Sequence, residues 1–164
     1  MRILGIDPGI ETTGCGIIET GKKDCYKVIK YCWISTDRKL GQNNRLKSVY
    51  LQTRKLIGEM APDVIAIERL FFYNNQKTAM EVSQSVGVIK LAIADFDIES
   101  FEYSPPKIKS VVAQNGRAKK EDVIKAVKKI LGIKVPKGKK THFNDVADAL
   151  GIAVCHAKII QEGG

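Results

Sequence analysis

The sequence predicts an α/β fold, a mixed five-stranded sheet with helices on its faces. Three observations carry that prediction. The first part of the chain reads as three strands joined by short turns. After residue 45, helical and extended periodicities alternate, as in a sheet built with helical crossovers. The stretch Val64–Glu68 is apolar until its last residue, the signature of a short strand covered on both faces.

In chain order, residues 2–7 form the first strand and residues 9–13 a turn. Residues 14–20 return as the second strand, with a third at 27–35. Apolar or small residues at Leu46, Val49, Tyr50, Thr53, Leu56 and Ile57 recur at helical spacing, predicting a helix over 45–60 that Ala61-Pro62-Asp63 stops. The strand Val64–Glu68 comes next, then a helix over 76–95 and a strand over 98–103. Pro105-Pro106 opens a helix to about 114, where Asn115-Gly116 ends it. Two more helices cover 120–131 and 144–161, the last with Asn144 as its expected N-cap. There is no repeat, linker or low-complexity tract, and 164 residues suit a single domain spanning 1–164.

Composition narrows the class. Hydrophobic content of 44% and charged content of 27% are those of a globular protein, and no apolar run reaches the roughly 18 residues of a membrane helix. Met1-Arg2-Ile3-Leu4 leads straight into a strand, which argues against a signal peptide. Cys15, Cys25, Cys32 and Cys155 are scattered, giving neither zinc spacing nor a disulfide framework, as expected in a reducing cytoplasm. The net charge of +9 is concentrated: residues 102–142 hold twelve Lys/Arg against three Asp/Glu, and the remainder balances at fifteen of each. Lys125, Lys128 and Lys129 read as a solvated helix face. The loop clusters Arg117, Lys119, Lys120 and Lys137, Lys139, Lys140 fit phosphate binding better.

Four carboxylates stand out against that charge. Asp7 ends the first strand and is held by Pro8-Gly9; Glu68 ends the buried strand; Asp145 and Asp148 open the last helix. At about 100° per residue the two helix aspartates share a face. Each has a plainer reading: acidic first turns suit the helix dipole, and a strand can simply end in an exposed Glu. Together they are harder to explain, because carboxylates gathered at one end of a sheet repel strongly without cations. Oxygen-only ligands select Mg²⁺ or Mn²⁺ over zinc. Such ions beside a basic surface suit two-metal phosphodiester hydrolysis, with Asp7 as the central bridging ligand. His156 shares a helix with Asp145 but lies about 16 Å along it, too far to join the site. His142 is read as a loop or phosphate-contact residue.

Ile3-Leu4-Gly5-Ile6-Asp7-Pro8-Gly9 with Thr13-Gly14, Ala66-Ile67-Glu68, Phe101-Glu102-Tyr103 and Asp145-Val146-Ala147-Asp148-Ala149-Leu150 occur in this order across nearly the whole chain. The first motif alone also resembles the phosphate-binding hairpin of the actin-like kinase fold. The ordered set resembles the RuvC family of crossover junction endodeoxyribonucleases, the bacterial Holliday-junction resolvases. The resemblance implies an RNase H-like fold and a cytoplasmic homodimer acting in DNA recombination and repair. That enzyme would nick four-way junction DNA symmetrically, leaving 5′-phosphate and 3′-hydroxyl ends, at two Mg²⁺ ions per site with Mn²⁺ able to substitute. RuvA and RuvB are its implied partners, and a short T-rich sequence its implied preference. By matching position, Asp7, Glu68, Asp145 and Asp148 are the metal-binding and catalytic acids, and Lys109 and Lys120 contact the scissile region. Phe71 stacks on an unpaired base, a role that Phe72 or Tyr73 could also take. Arg117 and Lys119 complete the expected DNA surface. The competing readings are a junction-binding protein without chemistry, another RNase H-like nuclease, and a sugar-kinase-like phosphotransferase, for whose second domain 164 residues leave no room.

Overall fold

The computed structural model describes residues 1–22, 25–69, 76–133 and 143–163. Its element order is β1 (Arg2–Asp7), β2 (Thr12–Thr20), β3 (Tyr26–Ser35), α1 (Gln42–Met60), β4 (Val64–Glu68), α2 (Gln76–Ala94), β5 (Ser100–Tyr103), α3 (Pro105–Ala113), α4 (Lys120–Leu131) and α5 (Phe143–Glu162). The strands form one five-stranded mixed sheet in the order β3-β2-β1-β4-β5. β1, β2 and β3 are antiparallel, and β4 and β5 extend the sheet parallel to β1.

Strand alternation divides the core. Ile3 of β1 and Val64 and Ala66 of β4 face one side, where they pack under α3, α4 and α5. Leu4 and Ile6, with Ile65 and Ile67, face the other side, under α1 and α2. Both faces of the central strands are therefore buried, which is why β4 carries no polar residue before Glu68. The period of two also places Asp7 and Glu68, the last residues of β1 and β4, on the α5 side.

Helix α5 lies unusually close to the sheet because it rests on glycines. A Cβ on Gly5 would come within 2.0 Å of the Ala149 carbonyl oxygen, and one on Gly14 within 2.2 Å of the Asp145 carbonyl oxygen. Gly16 similarly leaves room for the Leu150 side chain. These contacts are backbone against backbone or against a branched core residue, so a methyl group would have to lift the helix.

Several boundaries differ from the sequence expectation, beginning with β2, which starts at Thr12 inside the expected turn. Helix α1 starts earlier, at Gln42 after Gly41, and buries Arg45 in place of Leu46 and Tyr50. The Arg45 Nε donates to Thr36 Oγ1 at 3.0 Å, so the guanidinium has a partner under the turn after β3. The fifth strand begins at Ser100, where pairing with Ile65 starts; Asp97 just before it has φ of 53°, which breaks the extended run. Helix α5 begins at Phe143, so Asn144 is its second residue and not its N-cap. Asp145 stays in the first turn, whereas Asp148 falls one turn further in. Along α2, Ile89 and Ile93 are buried in the sheet core, whereas Ala79, Val82 and Val86 are partly exposed.

Candidate active site

The site is assembled by register. Ile6 pairs with Ile67 in the parallel β1–β4 ladder, which brings Asp7 and Glu68 to the same end of neighbouring strands. On its other side Asp7 is the register partner of Gly14, the residue on which the first turn of α5 rests. That close approach delivers Asp145 and Asp148 to the strand ends. Carboxylate oxygens of Asp7, Asp145 and Asp148 all lie within 4.8 Å of one another. Glu68 joins them, its carboxyl interacting directly with that of Asp7.

The turn that aims Asp7 is fixed by its own hydrogen bonds. The Thr13 hydroxyl, fully buried, donates to the Gly9 carbonyl at 2.6 Å and accepts from the Gly9 N–H at 3.3 Å. Ser85 of α2 donates to the same Gly9 carbonyl at 3.0 Å. A Cβ on Gly9 would come within 2.2 Å of the Thr12 carbonyl oxygen, so this turn requires glycine.

Electrostatically the cluster is unfavourable as it stands. Burial, then the charges of Glu68, Asp148 and Asp145, push the Asp7 carboxyl well above the usual carboxylate range, with Lys120 opposing. Glu68 is raised by burial and Asp148, and partly held back by its hydrogen-bonding contact with Asp7 and by Lys120 and Lys109. Burial likewise raises Asp148 against the pull of Lys120. Lys120 Nζ sits 2.6 Å from Asp148 Oδ2. Burial works against its ammonium form, yet the hydrogen bond to Asp148 and the charges of Asp7 and Asp145 outweigh that and raise its pKa. Lys120 and Lys109 together carry two charges against four acids. The donor set, all carboxylate oxygens with converging lone pairs, fits a hard divalent cation.

A cleft of about 320 Å³ opens over the cluster, lined by Asp7, Glu68 and Asp148 together with Pro105, Ile108 and Lys109 of α3, Lys120 and Val123 of α4 and Ile152 of α5. Helices α3 and α4 thus carry the expected cations Lys109 and Lys120 to the acids. Arg117 and Lys119 are exposed outside that lining, on the connection leading into Lys120, and the Arg117 N–H is held by the Asn115 side chain at 2.9 Å. Phe71, Phe72, Tyr73, Lys137, Lys139, Lys140 and His142 lie outside the described residues.

His156 is clear of the cleft, as its position on the helix implied. It is 2% exposed, and its Nδ1 lies 2.7 Å from the Tyr103 hydroxyl, with the Phe101 ring against it at 4.7 Å. Tyr103 is the register partner of Glu68, and its carbonyl accepts from the Arg69 N–H at 2.8 Å. This contact pins α5 to the strand end that carries Glu68. Residue-by-residue reading missed it, along with the glycine floor; glycines spaced by two along β2 were the available signal.

The family model for crossover junction endodeoxyribonuclease RuvC matches residues 3–156 of the chain. Crossover junction endodeoxyribonuclease RuvC of Alkaliphilus metalliredigens is 46% identical, covering 96% of this chain and 93% of that protein. Its counterpart from Caldicellulosiruptor saccharolyticus is 43% identical, covering 95% and 92%. Among solved structures, Thermus thermophilus RuvC in complex with a Holliday junction substrate superposes with a TM-score of 0.89 at 27% identity, covering 99% of this chain and 96% of that one. The fold is therefore RNase H-like, and the chain belongs to the RuvC family of crossover junction endodeoxyribonucleases.

Proposed function

We propose that this protein resolves four-way DNA junctions by paired, symmetric, Mg²⁺-dependent nicks that leave 5′-phosphate and 3′-hydroxyl ends. The observation that carries the proposal is the meeting of Asp7, Glu68, Asp145 and Asp148 at one end of the sheet, beside Lys109 and Lys120. Bound there, Mg²⁺ or Mn²⁺, two ions per site, would neutralise the acids and supply positive charge that acidifies an attacking water and stabilises the leaving 3′-oxygen.

The chain's own residues set the rest. Asp7, which feels the charges of all three other acids, would be the central ligand, and Glu68 from β4 and Asp145 and Asp148 from α5 would hold the metal with it. Lys120, already drawn to Asp148, lies where a scissile phosphate would replace the carboxylate as its partner, and Lys109 approaches from α3. Arg117 and Lys119 track the backbone away from the cut, and Phe71 or Phe72 stacks on a base at the crossover. Homodimerisation follows from the need for two equivalent cuts. Among the described residues the exposed apolar side chains Met80 and Leu91 of α2 support an isologous contact there. RuvA and RuvB are the proposed partners, in the bacterial cytoplasm, in recombination and repair.

The test is cleavage of a synthetic four-way junction with mapped nick positions. Paired nicks dependent on Mg²⁺ and lost in Asp7→Asn are expected. Cleavage that persists in EDTA refutes the metal mechanism, and tight junction binding without cleavage in Mg²⁺ or Mn²⁺ would make the protein a structural junction binder.

A further inference from the structure

The fold brings together two thiols that the sequence leaves apart. Cys15 and Cys32 are register partners across the antiparallel β2–β3 pair. Cys15 is fully buried in the core under α1 and α2, and Cys32 packs half-buried at the edge of that core. The two side chains are hydrogen-bonded to each other. Directly opposed residues of antiparallel strands have Cα atoms roughly 4.5–5.5 Å apart, inside the roughly 4.4–6.8 Å that a disulfide spans. Cys25 is exposed outside the strand, and Cys155 is sealed in the α5 core, where burial pushes its thiol up to about 12.

We propose that Cys15 and Cys32 are a reversible oxidation site, with Cys32 the attacking thiol and Cys15 the resolving one. The geometry assigns the roles: Cys32 is half-buried with a path to solvent, and Cys15 is its buried register partner, whose Sγ otherwise lies 4.0 Å from the Thr13 carbonyl oxygen. The hydrogen bond from Cys15 also brings the Cys32 thiol down to about 7 against the effect of burial, with Lys30 assisting and Glu59 opposing. The Cys32 thiolate attacks one sulfur of a low-molecular-weight disulfide, forming a mixed disulfide and expelling one thiolate, which takes up the proton Cys32 released. Cys15 then loses its proton and attacks Cys32 Sγ, displacing the second thiol. Two protein thiols are oxidised to one disulfide and the small disulfide is reduced to two thiols. The product staples the edge strand β3 to β2 one residue from Gly14, on which the first turn of α5 rests.

The test uses full-length reduced protein incubated with oxidised glutathione, followed by intact mass, non-reducing peptide mapping and thermal unfolding. The expected product is lighter by two hydrogens, contains a Cys15–Cys32 peptide and melts roughly 6–12 °C higher, as closing a loop of this size implies. Dithiothreitol reverses the change, and Cys25→Ser leaves it intact. Cys32→Ser abolishes the linkage, and Cys15→Ala stops the reaction at a glutathione adduct on Cys32. Glutathione adducts confined to Cys25 in the folded wild type, or a Cys15–Cys32 linkage that forms only in urea, would overturn the proposal.

Discussion

Replacing Asp7 by Asn should stabilise the protein without metal and abolish its response to metal. The substitution keeps the shape of the side chain and removes one charge from a cluster whose oxygens lie within 4.8 Å of one another. At that distance two full charges repel by about 3.5 kcal/mol at an effective dielectric of 20. Raised pKa values at Asp7, Glu68 and Asp148 show that protonation already relieves part of the repulsion. A net gain of about 1–2 kcal/mol, or about 2–8 °C in Tm, is what remains. The sign with pH is unusual for acids. Because these folded-state values are raised, their contribution to stability is intact below the ordinary carboxylate range of about 4 and is lost as pH rises through the raised values. In EDTA the Asn variant should therefore gain most over wild type at neutral pH and little near pH about 4. With Mg²⁺ at about ten times its Kd, wild type should gain about 1.4 kcal/mol at neutral pH and the variant almost none. Differential scanning fluorimetry in EDTA and in Mg²⁺ at several pH values reads all of this. A variant less stable than wild type in EDTA, or one that gains as much from Mg²⁺, would refute the reasoning.

Three further outcomes are expected. Gly14→Ala should lower Tm by several degrees and slow cleavage more than substrate binding, because its Cβ would meet the Asp145 carbonyl oxygen at 2.2 Å; unchanged cleavage would show that the strand accommodates it. Tyr103→Phe leaves the buried His156 Nδ1 without its partner and should cost about 1–3 kcal/mol in denaturant unfolding, whereas a neutral result would mean that water replaces the hydroxyl. Replacing Lys119 and Lys120 together should flatten the slope of log affinity for junction DNA against log salt by up to about 1.8, and an unchanged slope would place the DNA elsewhere.

The order of elements, the period-two burial of β1 and β4 and the four acids were legible because each depends on local pattern. A short apolar run such as Val64–Ile67, following Ala61-Pro62-Asp63, favours a strand buried on both faces, and Asp-Pro-Gly after a strand favours a turn. Helix ends were less legible: α5 starts at Phe143, one residue before the Asn144 expected to cap it. The burial of Arg45 was not legible at all, because its partner Thr36 comes from outside the helix.

By itself the sequence determined which carboxylates stand at the ends of buried segments, and that the excess positive charge lies between Glu68 and Asp145. Only the tertiary structure decided that these features converge. Register sets Asp7 beside Glu68, and bare glycines on β1 and β2 let α5 approach until its aspartates reach them. It likewise set Cys15 against Cys32 and Tyr103 against His156. The physical reason is common to all of them: pairing across strands and contact between backbones join residues far apart in the chain, and no local periodicity records them.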